Sequence, residues 1–211
     1  MQPHEYAIIG HSRTNIGRTL GTIAGILATL AALAASTALH LAERLGWANG
    51  MPRVILFPLT ASVFYPIGHL IFNKWIWRWD WVCSLLGIPN LSGTWDCIGQ
   101  TDGGAGPGVN SQWSGILRIT QTWEKIRVYL DAQGSSGSKS VSASLLNEPG
   151  RGFVLMYSYR NEPGISQKEM KPHIGYCEIV FEEDLSSAKG EYFNNKGRVT
   201  FGHMTLRRRK D

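Results

Sequence analysis

The chain has 211 residues, 43% of them hydrophobic, and a formal net charge of +5. That length leaves room for one compact domain beside a smaller part, and so modest a charge does not mark a binder of DNA or RNA polymers. Three widely spaced cysteines, Cys83, Cys97 and Cys177, exclude a disulfide framework and a Cys-x-x-Cys zinc site, and they fit a reducing compartment.

Two stretches without a charge, residues 19–42 and 54–73, come first in the chain. An apolar run of about twenty residues crosses roughly 30 Å of hydrocarbon as a helix, so residues 1–82 are expected to form a two-helix transmembrane hairpin. The first run is too long for a signal-peptide core and a second follows closely, which argues against cleavage. Arg13, Arg18, Lys74 and Arg78 flank the pair on one side and Arg44 and Arg53 lie between them, so the positive-inside rule predicts both termini in the cytoplasm. Trp47 and the run containing Trp75, Trp77, Trp79 and Trp81 are expected at the two interfaces.

In the first helix Gly17, Gly21 and Gly25 recur every fourth residue. Small residues let backbones approach in lipid, which points either to helix-mediated oligomerisation or to packing against the second helix of the same hairpin. Pro58 and Pro66 remove backbone donors, so the second helix is expected to loosen near them.

Residues 83–90, with Gly87 and Pro89, read as a linker. From residue 91 on, eight β-prone runs follow: 92–98, 112–121, 125–132, 139–146, 152–160, 174–181, 190–194 and 198–206. Breaks such as Asn147-Glu-Pro-Gly150 and Asn195-Lys-Gly197 carry turn chemistry. In the order Lys-Ile-Arg-Val-Tyr-Leu-Asp at 125–131, apolar residues alternate with polar ones, so one face is buried. The predicted fold class is therefore a membrane α-hairpin plus an all-β domain, 91–211, forming a compact, about eight-stranded, antiparallel up-and-down β-barrel; a two-sheet sandwich is the alternative.

A barrel of that size is either filled by side chains or holds one small ligand. Strand parity turns Tyr157, Tyr159, His173, Tyr192, Thr200 and Arg198 inward, a set richer in polar groups than a plain core requires. Tyrosines and a histidine stack on planar bases, and an arginine holds a phosphate; the plainer reading makes them wall and turn residues. The tail Arg207-Arg-Arg-Lys210 is either solvated or drawn to anionic groups. Phosphate-loop, zinc-hydrolase and nucleophile-elbow motifs are absent, so no catalytic residue, metal or cofactor is expected.

The uncharged pair leading through Ile88-Pro-Asn-Leu-Ser-Gly-Thr-Trp95 into a barrel, with Gln121-Thr-Trp123, Tyr157-Ser-Tyr159, His173-Ile-Gly175, Gly190-Glu-Tyr192 and Gly197-Arg-Val-Thr-Phe-Gly202, resembles the two-transmembrane β-barrel effectors associated with CD-NTases in bacterial CBASS anti-phage systems. Leu-Ser-Gly-Thr-Trp is also similar to the opening of lipocalin-like barrels, so a membrane-tethered carrier of an apolar ligand is the alternative. The resemblance implies a cytoplasmic barrel that binds a cyclic di- or trinucleotide made by a partner CD-NTase. It further implies self-association on binding, and disruption of the inner-membrane bilayer with death of the infected cell.

Overall fold

The computed structural model describes residues 2–10, 12–46, 61–105, 110–132, 136–163, 172–195 and 199–209. They fall into two compact units, one holding residues 11–77 and the other residues 1–10 together with 78–211. The expected division at residue 82 therefore moves to 77/78, and the first ten residues belong with the strands.

In the first unit, α1 (Arg13–Arg44) is a 32-residue helix, the one described helix long and apolar enough to cross a membrane. At 1.5 Å per residue it is about 48 Å long. Its threonines return their hydroxyls to the preceding turn, as Thr19 does to Asn15 O at 3.0 Å and Thr29 to Gly25 O at 2.9 Å, which leaves few polar groups to face hydrocarbon. The second helix, α2 (Ala61–Lys74), has 14 described residues and runs through Pro66. Residues 54–60 of the predicted second span, with Pro58, and Trp47 lie outside the described residues.

The second unit opens with a strand that sequence parity did not reveal, β1 (His4–Ile9). A short 3-10 turn, Ile76–Arg78, precedes α3 (Asp80–Leu86), so half of the expected linker is helical. The helix stops where Gly87 takes a left-handed φ of 62°, and the amides of Gly87 and Ile88 return to Ser84 and Cys83 carbonyls. Trp75, Trp79 and Trp81 are exposed whereas Trp77 is fully buried, so three of the four rings of the tryptophan run are available to an interface.

Eight strands then follow: β2 (Gly93–Ala105), β3 (Gln112–Gln121), β4 (Lys125–Ala132), β5 (Ser136–Glu148), β6 (Gly152–Pro163), β7 (His173–Phe181), β8 (Ser187–Asn195) and β9 (Val199–Arg208). Consecutive strands pair antiparallel and β9 returns to β2. Where an all-antiparallel sheet of about eight strands was expected, the described sheet has nine and its ladder closes on itself, with one parallel pair.

The ninth strand has a physical reason. β4 and β5 pair only from Tyr129–Lys139 to Ala132–Ser136, and a bulge at 140–142 then turns β5 away. Unpaired backbone in that fork would stay unsatisfied. β1 fills it, antiparallel to β4 at His4–Ile126 and parallel to β5 from Tyr6–Ala143 to Ile9–Leu146. At the fork the Ser140 hydroxyl meets His4 Nε2 at 2.7 Å and accepts from the Val128 amide at 2.9 Å.

One end of the barrel is closed by apolar packing. Trp95 meets Phe181 edge-on with centroids 5.1 Å apart, and Leu117, Leu155, Ile179 and Leu206 are fully buried around them. The buried Gln121 side chain ties this end together: it accepts from the Leu91 amide at 2.8 Å and donates to Tyr6 Oη at 3.1 Å and Pro89 O at 3.3 Å. Both connections to the other unit, β1 onward and Arg78 backward, leave from this end; Arg78 donates to Gln121 O at 2.6 Å. The carboxyl-terminal arginines are part of the wall as well, Arg208 donating to Asn90 O and Ser92 O and Arg209 pairing with Asp96.

Candidate ligand site at the polar end of the barrel

Away from that apolar end the same strands turn different residues inward. On β2 the inward series Trp95, Cys97, Gly99 and Thr101 passes from aromatic to polar, and on β6 the series Leu155, Tyr157, Tyr159 and Asn161 does the same. Strand registers place the polar members side by side: Tyr159 opposite Gly175, Asn161 opposite His173, Gly175 opposite Asn194, and Thr101 and Tyr192 opposite Gly202.

Three inward glycines make room for three aromatic rings. A Cβ on Gly99 would collide with the Trp113 ring, one on Gly175 with the Tyr159 ring, and one on Gly202 with Gln100 O and, at 2.9 Å, with the Tyr192 hydroxyl. Side chains at these positions would push the rings off the wall; with glycine, each ring lies against the strand beside it.

Two hydrogen-bonded groups hold the rings. Tyr159 Oη donates to Asn194 Oδ1 at 2.9 Å, and Asn194 Nδ2 donates to Thr200 Oγ1 at 2.6 Å. Tyr192 Oη accepts from Trp113 Nε1 at 3.1 Å and shares a 2.9 Å hydrogen bond with Thr101 Oγ1. Trp113 and Tyr192 also meet edge-on, centroids 6.0 Å apart. Asn161 Nδ2 donates to Ser136 Oγ at 3.0 Å, while its buried Oδ1 has no hydrogen-bond partner. A buried acceptor without a donor is costly in an apo barrel and is satisfied by an entering N–H or O–H.

Deeper in, burial sets the chemistry. It pushes the Cys97 and Cys177 thiols up to about 12, and it raises the Tyr157 hydroxyl well above its ordinary value. These groups stay neutral at physiological pH and form a floor beneath the polar end, with Cys97 Sγ 3.7 Å from Met204 Sδ.

Of the residues singled out from sequence, Tyr159, His173, Tyr192 and Thr200 come together at this end, and Tyr157 lies in the floor with its ring 6.1 Å from that of Tyr159. Arg198 lies outside the described residues. Sequence reasoning left out Thr101, Trp113 and Asn161, and it turned Asn194 inward with Tyr192 without counting it among the ligand residues. Extending the Trp95–Cys97–Gly99 alternation past residue 98 reaches Thr101; Asn161 and Asn194 continue the parity of tyrosines already chosen. Trp113 carries no such signal, because its partner Gly99 is distant in sequence. In α1, a Cβ on Gly17 or Gly21 would lie 3.8 and 4.0 Å from Tyr65 of α2, while one on Gly25 would meet nothing within 4 Å.

Comparison with known proteins places this geometry. Residues 86–208 match the family described as "Cap15, cyclic dinucleotide receptor domain", and residues 14–78 match "Cap15, TM helices". The chain belongs to the Cap15 family. A curated relative, CD-NTase-associated protein 15 of Yersinia aleksiciae, is 35% identical over 209 residues, covering 99% of this chain and 98% of the relative. The receptor match contains all eight strands of the Cap15 meander, β2–β9, and with them the polar end; β1 lies outside both matches.

Proposed function

We propose that this chain is a membrane effector of a bacterial CBASS antiviral system whose barrel binds a cyclic dinucleotide made by a partner CD-NTase. The observation that carries the reading is the polar end of the barrel, where aromatic rings, amides and hydroxyls converge in a chain of the Cap15 family. Tyr159, Tyr192 and Trp113 supply faces and edges for two bases, and Asn161 and His173 supply polar atoms for their edges. No arginine or lysine is among the described side chains there, so the two phosphates draw on Arg198, which directly precedes β9 in the sequence, and on backbone amides.

On this reading residues 14–78 form a two-pass hairpin in the inner membrane with both termini cytoplasmic, as the flanking arginines and lysines favour. Ligand binding shifts an assembly equilibrium by its differential affinity for the two states, and clustering of the helices then breaches the bilayer. Gly25, open on α1, assists helix contacts between copies, while Gly17 and Gly21 lie against Tyr65. A lipocalin-like carrier fits less well, since an apolar ligand would leave the amides and hydroxyls of the polar end desolvated.

Full-length protein in dye-loaded liposomes tests the proposal against a panel of cyclic di- and trinucleotides. Leakage is expected with one or a few nucleotides, together with a thermal shift equivalent to about 2.7 kcal/mol at one hundred times the dissociation constant. Leakage indifferent to every cyclic nucleotide would sink it.

A further inference from the structure

A groove of about 530 Å³ spans β7, β8 and β9 and reaches Asp102 of β2; its outer part is lined by residues the interior site does not use, and it borders that site at Tyr192 and Gly202. Two rows cross it in register. Tyr176, Phe193 and Phe201 form one, with Phe193 and Phe201 more than half exposed; Glu178, Glu191 and His203 form the next, with His203 Nδ1 2.7 Å from Asp102 Oδ2. Exposed rings beside Glu191 suit a guanidinium, which stacks on the rings and pairs with that carboxylate, whereas Glu178 already pairs with Arg151 and Asp102 with His203.

The same chain offers such groups on its other strands. Arg118, Tyr129, Lys139 and Arg160 lie in one register row across β3, β4, β5 and β6, and the Arg127 guanidinium sits 5.7 Å from the centre of the Tyr129 ring. Arg118 and Arg160 are exposed, and Lys139 pairs with Glu162 at 2.7 Å. Around the closed ladder, β8 is separated from β4 by β9, β2 and β3 in one direction and by β7, β6 and β5 in the other, so the middle of the basic row lies across the barrel from the groove, while its end at Arg160 of β6 borders β7.

We infer that the groove on β7–β9 docks the basic row of a second copy of this chain, so that barrels associate head to tail. Groove and row are different patches, which makes the contact heterologous: each copy retains one free donor and one free acceptor face, and growth continues until a ring closes or a linear array forms. The inference rests on the assembly step proposed above and supplies the surfaces for it.

Cross-linking of the full-length chain in bacterial membranes tests the pairing. Phe193→Cys and Arg118→Cys are introduced singly and together in a Cys83→Ser background, since Cys97 and Cys177 are buried. A short bismaleimide is applied with and without an equimolar mixture of 3′,3′-cyclic di-AMP, di-GMP and UMP–AMP. The double variant is expected to give a ladder of multimers, the two singles mixed together a dimer, and each single alone no product. In the double-cysteine chain Glu191→Arg should weaken the ladder at least tenfold, and mixing that chain with a double-cysteine chain carrying Arg160→Glu should restore it. Dimers from Phe193→Cys alone, or no product from the double variant with or without the nucleotides, overturn the inference. So does protection of the Phe193→Cys thiol by anionic vesicles without a ladder, which assigns the face to lipid. A thermal-shift arm on the same protein separates the two readings: a nucleotide shift without a ladder removes the interface and keeps the receptor, whereas a ladder without any shift does the reverse.

Discussion

The two ends of the barrel are built by the same eight long strands and differ in what alternate residues do. At the end that continues into the helices, Trp95, Phe181, Leu155 and Leu206 fill the interior, and buried Gln121 has its side-chain amide engaged by two chain segments, at Tyr6 and at Pro89 and Leu91. At the other end the inward positions are glycines with rings laid across them, linked by amides and hydroxyls, and Asn161 retains a free acceptor. A strand can thus change from core to receptor over two or three inward positions without altering its backbone. One end is closed by apolar packing, and the other is the end proposed to take the ligand.

Four changes probe that division, in order of expected effect. Gln121→Ala should be the most destabilising, by about 2–4 kcal/mol, because it removes a buried side chain and leaves the buried Leu91 amide without the acceptor that Gln121 supplies; denaturant unfolding of the full chain in detergent measures it. If this loss is no larger than that for a polar-end substitution, the division between the ends fails. Gly175→Ala should cost about 1–3 kcal/mol by forcing the Tyr159 ring from the wall, and isothermal titration should show nucleotide affinity falling with it.

Asn194→Leu separates site from scaffold more finely. It removes the acceptor of Tyr159 and the donor to Thr200, so stability should fall by about 1–2 kcal/mol while nucleotide affinity falls at least tenfold; intact affinity would remove this group from the site. The smallest effect is alkaline. Cys97 and Cys177 rise from an ordinary 9.0 to about 12 in the fold, so the unfolded chain loses these protons first. Their contribution is full below pH 9 and is lost as pH rises toward 12. The melting temperature should decline over that window, and less steeply in a Cys97→Ala, Cys177→Ala chain.

Each β-prone run from residue 92 onward became a strand because period-2 alternation is a local property that burial on one face enforces. Parity likewise sufficed to send Tyr157, Tyr159, His173, Tyr192 and Thr200 to one interior, and the length of the first uncharged run announced α1. Pairings between distant residues were hidden. His4–Ile9 is too short to declare itself and becomes a strand only because a bulge in β5, more than 130 residues away, opens a fork that needs its backbone groups. Trp113 joins the site only because closure brings β3, β2, β9 and β8 around one interior, setting its indole on Gly99 and against Tyr192. Sequence by itself determined which faces are buried, since hydrophobic periodicity needs no partner to be read. Tertiary structure alone decided which buried faces meet, because register and closure are fixed by hydrogen bonds between segments that the chain order keeps far apart.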